Sequence, residues 1–317
     1  MDYARRRCGD SNARKKKNMR KILITGAGSF IGTSFENYIK NHANHDEYEI
    51  SVMDTLTGKL VGGESEDIWN FDGYDVVFHV AGIAHADVGK VTEEGKELYR
   101  KVNTELAIET AKKAKATGVK QFIFMSSAIV YGASSPIGKE KIITKDTKPE
   151  PENFYGESKL NAETGLLELS AGDFKVVILR PPMIYGPGCK GNYNSLRKFA
   201  LKLPIFPKVK NERSMLYIDN LCEFVRLMID NEESGIFHPA NAETSNTSEM
   251  VKMIAEAHGK KKALMGGLTW LLILMSHFTG LVNKAFGNLT YSSELTEYKE
   301  NYRVYSLTES ITATETK

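Results

Sequence analysis

The stretch that most restricts the fold is Lys21-Ile-Leu-Ile-Thr25 running straight into Gly26-Ala-Gly28-Ser29-Phe30-Ile31-Gly32, with a helical pattern continuing through Ile39. A short apolar run, a glycine turn and a helix, in that order, are the setting of a dinucleotide-binding fingerprint. Glycines let the backbone turn tightly and approach a pyrophosphate, and the helix N-terminus attracts its charge. Gly26, Gly28, Ser29, Phe30, Ile31 and Gly32 are therefore candidate cofactor contacts. The strict fingerprint would place its third glycine at position 31; here it stands at Gly32.

The rest of the chain repeats the strand–helix alternation. Glu49-Ile-Ser-Val-Met-Asp54 reads as a second strand ending in an acid. An acid there can accept hydrogen bonds from the adenosine ribose hydroxyls and repels a 2′-phosphate, favouring NAD over NADP. Residues 55–73, rich in Gly, Asp and Glu, read as loops. Asp75 to Ala81-Gly82 is a continuous apolar strand of the kind buried on both faces of a parallel sheet. Thr92 to Thr117 is a long helical stretch that includes Asn103. Val119 to Met125 is a strand ending in Ser126-Ser127, Phe154 to Leu169 a helix, and Lys175 to Arg180 another strand. Such alternation predicts an α/β fold, a Rossmann-type doubly wound parallel sheet. In these sheets the ligand lies beyond the carboxyl ends of the strands, where Asp54, Ala81-Gly82 and Ser126-Ser127 all fall. From Pro181 the pattern loosens, with helices expected at Asn192–Leu203, Leu221–Ile229 and Ser248–His258. The division expected is a cofactor domain over 19–182 and a smaller C-terminal lobe over 183–317, with some of its segments returning to the sheet.

Tyr155 and Lys159 stand four residues apart, which on a helix puts them on one face, one turn apart. A phenol has a pKa near ~10 and is a poor base at neutral pH. An ammonium fixed beside it lowers that value and suits the phenol to proton transfer.

Bulk composition excludes several classes. Residues 1–18 hold seven basic residues against Asp2 and Asp10, a net of +5, so the other 299 residues sum to −3 and give no reason to bind nucleic acid. The tail is expected to be disordered or to precede the true start at Met19. Cys8, Cys189 and Cys222 are too few and scattered for a disulfide framework or a zinc site, which fits a reducing, cytoplasmic setting. The apolar stretch Leu264–Phe286 has an uninterrupted part too short for stable membrane insertion, which needs ~20 residues. It reads as a helix packed on the small lobe, with shallow binding at a membrane interface as the alternative.

With these residues laid out, the chain resembles the extended short-chain dehydrogenase/reductase family, in its NAD-dependent nucleotide-sugar epimerase/dehydratase branch, from Lys21 to about Ile311. Thr25, Gly26 and Gly32 match its Thr-Gly-x-x-Gly-x-x-Gly turn, with Ser29 in place of the middle glycine. Phe78-His79-Val80-Ala81-Gly82 resembles the strand end near the cofactor. Ser126-Ser127-Ala-x-Val-Tyr-Gly and Tyr155-x-x-x-Lys159 resemble the catalytic segments. Arg180-Pro-Pro182-x-x-Tyr-Gly-Pro-Gly and Arg213-Ser-Met-Leu-Tyr-Ile-Asp-Asn-Leu are similar to substrate-lobe segments.

The resemblance implies catalysis by Ser127, Tyr155 and Lys159, with Ala81, Gly82, Asn103 and Pro182 also against NAD. It implies a nucleotide-sugar substrate held near Asn192 and, at its diphosphate, by Arg213, no metal, and a homodimer. Dehydratases of the branch carry Asp-Glu after the serine; Ala128 and Ile129 stand there, against dehydration. A 4-epimerase acting on a UDP-hexose or UDP-N-acetylhexosamine for surface polysaccharide is expected. Met183, where many epimerases place an Asn, keeps a 4-keto-sugar reductase as the alternative. Relatives that only sense or scaffold have usually lost the tyrosine or lysine, and both are present.

Overall fold

Successive residues of a strand face opposite sides of its sheet, and β1 (Arg20–Thr25) is apolar on both. Ile22 and Ile24 enter one core cluster and Leu23 enters another. Such a strand needs cover above and below, which helices supply. The computed structural model describes residues 19–42, 44–62, 68–84, 92–276 and 280–316; the basic tail, with Cys8, lies outside the described residues, as do His277 and Phe278.

The first half comprises β1, α1 (Phe30–Asn41), β2 (Tyr48–Asp54), β3 (Lys59–Leu60), β4 (Val76–His79), α2 (Glu93–Tyr99), α3 (Leu106–Ala116), β5 (Gln121–Met125), β6 (Ile142–Ile143), α4 (Phe154–Leu167) and β7 (Lys175–Leu179). The second comprises β8 (Met183–Tyr185), α5 (Asn192–Lys202), β9 (Ile205–Pro207), β10 (Met215–Tyr217), α6 (Ile218–Asp230), β11 (Gly235–Phe237), α7 (Thr247–Ala257), β12 (Ala263–Met265), α8 (Thr269–Ser276), α9 (Gly280–Phe286), β13 (Thr290–Tyr291), α10 (Ser293–Thr296) and α11 (Leu307–Thr316).

Seven strands form one sheet in the order β11-β7-β5-β4-β1-β2-β3, parallel except where β3 returns against β2. The order reverses at β1, between β4 and β2, and a crevice at such a point is where an open α/β sheet binds ligands. The expected loop over 55–73 thus contains an edge strand. Two residues are too few to show alternation in the sequence, and the pairing follows from the turn that Asp54 and Gly58 close. Asp54 accepts from the backbone N–H of Leu56 at 2.9 Å, and Gly58 takes φ +71°.

One core cluster joins the sheet face under α1 and α6 to the lobe, through Phe35, Val225 and Tyr185. The other lies beneath α3 and α4, where Ala107, Ala111, Ala114 and Ala162 keep the helices close. β11 comes from the second half of the chain and pairs with β7.

The apolar stretch is not one packed helix. It divides into β12, which pairs with β9, and the short helices α8 and α9. No residue of α8 is fully buried: Leu272 packs on the core, while Trp270 and Leu274 are 67% and 51% exposed. Gly266 and Gly267 break the run before α8, so its apolar residues were not placed by a single helical period. Among the described residues no helix is long and apolar enough to cross a membrane.

Candidate active site

Gly26 ends β1 with φ +108°, and a Cβ there would come within 2.8 Å of the Ala81 backbone nitrogen. Only glycine allows the ends of β1 and β4 to meet this closely. Gly28 takes φ +71°, whereas Ser29 sits at an ordinary φ of −70° and caps α1, its Oγ accepting from the Gly32 N–H at 3.2 Å. The glycine missing from the middle of the turn is therefore not required, because Gly28 carries the left-handed conformation and Ser29 the cap. Phe30 and Ile31 open α1, and Phe30 also reaches Gly186 beyond β8.

Beside this turn is a cavity of about 370 Å³ lined by Gly26, Gly28, Gly32, Glu36, Val52 and Val61, among others. Its β2–β3 wall was not legible in the sequence. Asp54 closes β2, but its carboxylate is turned into the following loop, onto the Leu56 N–H and the Thr57 hydroxyl.

The end of β4 is pinned from two sides. Thr25 Oγ1 and His79 Nδ1 hydrogen-bond at 2.8 Å across the β1–β4 pair, and burial, aided by the Lys159 charge, pushes His79 down to about 3, so the imidazole is neutral. Gly82 follows, and a Cβ on it would meet Asn103 Oδ1 at 3.0 Å and Lys159 Nζ at 3.2 Å. Asn103 lies in a π-helical turn, Arg100–Glu105, between α2 and α3. Its amide accepts from the Ile83 N–H at 2.8 Å and donates to Ser158 Oγ at 3.1 Å, tying the β4 loop to α4. Irregular turns of this kind concentrate at functional sites.

Ser127 follows β5 while Tyr155 and Lys159 lie in α4, and the electrostatics there are not those expected. Ser127 caps a short 3₁₀ turn, Ala128–Tyr131, which the Pro181 carbonyl holds through the Ala128 N–H at 2.9 Å; Pro182 is buried next to it. The Ser127 hydroxyl is the one neighbour that lowers the Tyr155 pKa. Burial, with a smaller contribution from Tyr99, outweighs it and pushes Tyr155 up to about 12. Lys159 is not among the groups that shift it. Its ammonium donates to the Met125 carbonyl at 2.8 Å and lies 4.6 Å over the Phe124 ring. Burial lowers Lys159 itself to about 8, with Glu163 opposing. The protein alone thus holds Tyr155 as the neutral phenol.

Behind the three lies a buried network that the sequence reading did not pick out. Glu163, one helical turn beyond Lys159, accepts from Ser126 Oγ and from Arg180 Nε at 3.1 Å. Arg180 also donates to the Tyr131 hydroxyl at 2.7 Å, which pairs at 2.7 Å with His238 Nε2. The signal was present as an i, i+4 spacing from Lys159 to Glu163, but it lacked a partner until β7 placed Arg180.

Asn192 begins α5 and is exposed. Arg213 is part-buried in the lobe, its backbone bridging Ser245 and Leu289, and it donates to the Ala285 carbonyl of α9 at 3.5 Å. Among the described residues no cluster of His, Cys, Asp or Glu is arranged to hold a metal; Cys189 and Cys222 are buried free thiols.

Residues 22–241 match the model of the NAD dependent epimerase/dehydratase family. The chain belongs to that family. It is an enzyme of the extended short-chain dehydrogenase/reductase type. A UDP-glucose 4-epimerase of Vibrio cholerae is 33% identical over 297 residues, covering 89% of this chain and 87% of that protein. An N-acetyl-alpha-D-glucosaminyl-diphospho-ditrans,octacis-undecaprenol 4-epimerase of Escherichia coli O157:H7 is 28% identical, covering 76% and 73%. Among solved structures, the UDP-glucuronic acid 4-epimerase of Bacillus cereus superposes with a TM-score of 0.67 at 20% identity, covering 93% of this chain and 97% of that one.

NAD, the cofactor of the family, fits the residues present. The side-chain-free approach of Gly26 to Ala81 and the adjoining glycine-lined cavity leave room for a pyrophosphate at the start of α1.

Proposed function

We propose that the protein is a 4-epimerase of a diphosphate-linked hexose or N-acetylhexosamine, with a UDP-sugar as the first substrate to test. The observation that supports this most is the buried Lys159 ammonium, held on the Met125 carbonyl at the end of β5 and beside Gly82 and Asn103, one helical turn from Tyr155. Bound NAD supplies a reversible hydride acceptor for the sugar carbon. Tyr155, as phenolate, takes the proton of the sugar hydroxyl and returns it. Ser127 donates to the same oxygen and steadies its developing charge. Lys159 would hold the nicotinamide ribose, and the positive charge that oxidised NAD brings to the site would draw the phenol down from about 12. Gly26, Gly28, Ser29, Phe30, Ile31, Gly32, Ala81, Gly82, Asn103 and Pro182 are assigned to the cofactor, and Asp54 to its adenosine ribose once released from its turn. Asn192 and Arg213 are assigned to the substrate nucleotide and diphosphate. Ala128 and Ile129 offer no acid–base pair for eliminating water.

A second reading concerns what lies beyond the diphosphate. Arg213 donates to α9, which packs on the exposed apolar helix α8, so a sugar diphosphate carried on a polyprenol, the group in the E. coli relative's name, fits the same site.

Incubation with UDP-glucose, UDP-N-acetylglucosamine and a UDP-4-keto-6-deoxy sugar, with and without NADH, followed by product NMR, tests the proposal. Epimerisation without added reductant is expected. Stoichiometric NADH consumption by the keto sugar alone would replace it with the reductase reading.

A further inference from the structure

Five of the eight side chains of α8 are exposed and apolar: Trp270, Leu271, Ile273, Leu274 and Met275. At about 100° per residue they cover an arc of about 200°, with Leu272 and Ser276 turned to the protein. Helices that dock in protein grooves expose a stripe nearer ~100° wide. An arc twice that suits a fluid apolar medium that can close around it. At about 12 Å the helix is far too short to span a bilayer core of ~30 Å, so it would lie in the plane of the surface. Ile205 and Met265 are likewise exposed, on the paired strands β9 and β12 that precede it in the chain.

The charge of the segment that carries α8 selects the medium. Residues 257–293 contain four lysines and no acid, although residues 19–317 together sum to −3. Lys202, Lys208, Lys260 and Lys261 are exposed on the elements that lead into α8, and among the described residues none lies within ion-pair distance of a carboxylate. Lys260 also donates to the Leu201 carbonyl at 3.1 Å, which fixes its ammonium at the end of α5. Lysine is depleted in protein–protein interfaces. A two-fold contact with a second copy through α8 would also bring the acid-free, lysine-bearing segment 257–293 against itself.

We infer that α8, with the exposed edge of β9 and β12, docks the protein onto an anionic lipid surface, Trp270 and Leu274 entering the headgroup–acyl boundary and the lysines meeting the headgroups. The docking does not depend on which sugar the site takes.

Flotation of the full chain with vesicles of phosphatidylcholine and phosphatidylglycerol tests it, with pure phosphatidylcholine vesicles as the uncharged arm. Wild type is expected to float with the mixed vesicles, and Trp270 fluorescence to be quenched by brominated lipid, a signal that Trp270→Phe removes. The double variant W270Q/L274Q keeps every charge, including those of residues 1–18, and should lower the bound fraction at least about tenfold. Its turnover of a soluble nucleotide sugar and its melting temperature should match wild type. Failure of the wild type to float, or equal flotation of the double variant, would overturn the inference. So would light scattering that shows a dimer turned to monomer by W270Q/L274Q, since a second copy would then cover α8.

Discussion

Tyr155 and Lys159 share a helical face, yet their chemistry depends on what each touches across the fold. The Lys159 ammonium is on the Met125 carbonyl, and the Tyr155 ring meets Tyr99 edge-on. Tyr155→Phe keeps the ring and its edge contact with Tyr99 while removing the proton carrier. Turnover should fall by about 10²–10⁴ with folding intact, and a smaller loss in steady-state assays would remove Tyr155 from the acid–base role. Lys159 gives a pH signature. Its folded value, about 8, lies below its ordinary 10.5, so between these values the unfolded chain holds the extra proton and stability rises with pH. Below pH 8 both states carry the charge and the burial penalty is present in full. Relative to Lys159→Met, wild type should therefore gain up to about 3 kcal/mol between pH 8 and pH 10.5, read by urea unfolding across that range. A flat difference would mean that the ammonium is as well solvated in the fold as in the unfolded chain.

Among the elements, α1 shows how a departure from a family pattern is absorbed. Ser29 replaces a glycine without strain and gains a cap on the Gly32 N–H. Ser29→Ala should cost about 1 kcal/mol in unfolding free energy, and Ser29→Gly only a few tenths. Equal losses for the two would show that the serine does something other than cap the helix. The π-helical turn between α2 and α3 acts at the same scale. It places Asn103 where one amide joins the β4 loop to Ser158 on α4, and the apolar and lysine pattern of Thr92–Thr117 predicted a helix there but not its irregular turn.

Across the whole molecule, sheet and lobe share a core. Phe35 and Val177 belong to the same cluster as Tyr193 and Met250, and β11 adds the lobe's chain to the sheet. Unfolding should then be a single transition. Far-UV dichroism and the fluorescence of Trp69, isolated by Trp270→Phe, should give coincident midpoints, and bound NAD should raise both together. Separate midpoints would mean that the lobe unfolds independently of the sheet.

The alternation of apolar runs with helical periods, and the glycine turn between the first pair, were enough to specify a doubly wound parallel sheet and the strand ends that hold the site, because both are set by local periodicity and backbone freedom. Tyr155 and Lys159 were legible for the same reason, since i, i+4 neighbours share a face in any helix. What only tertiary structure decided are the contacts between groups far apart in the chain. The Glu163–Arg180 pair needed β7 beside α4, and the β2–β3 edge needed a two-residue pairing too short to leave a pattern. Lys159 needed the Met125 carbonyl, and its burial, to be drawn away from Tyr155. The apolar run near Trp270 was visible as a run, but whether it was covered depended on what packed over it. The fold leaves α8 on the surface.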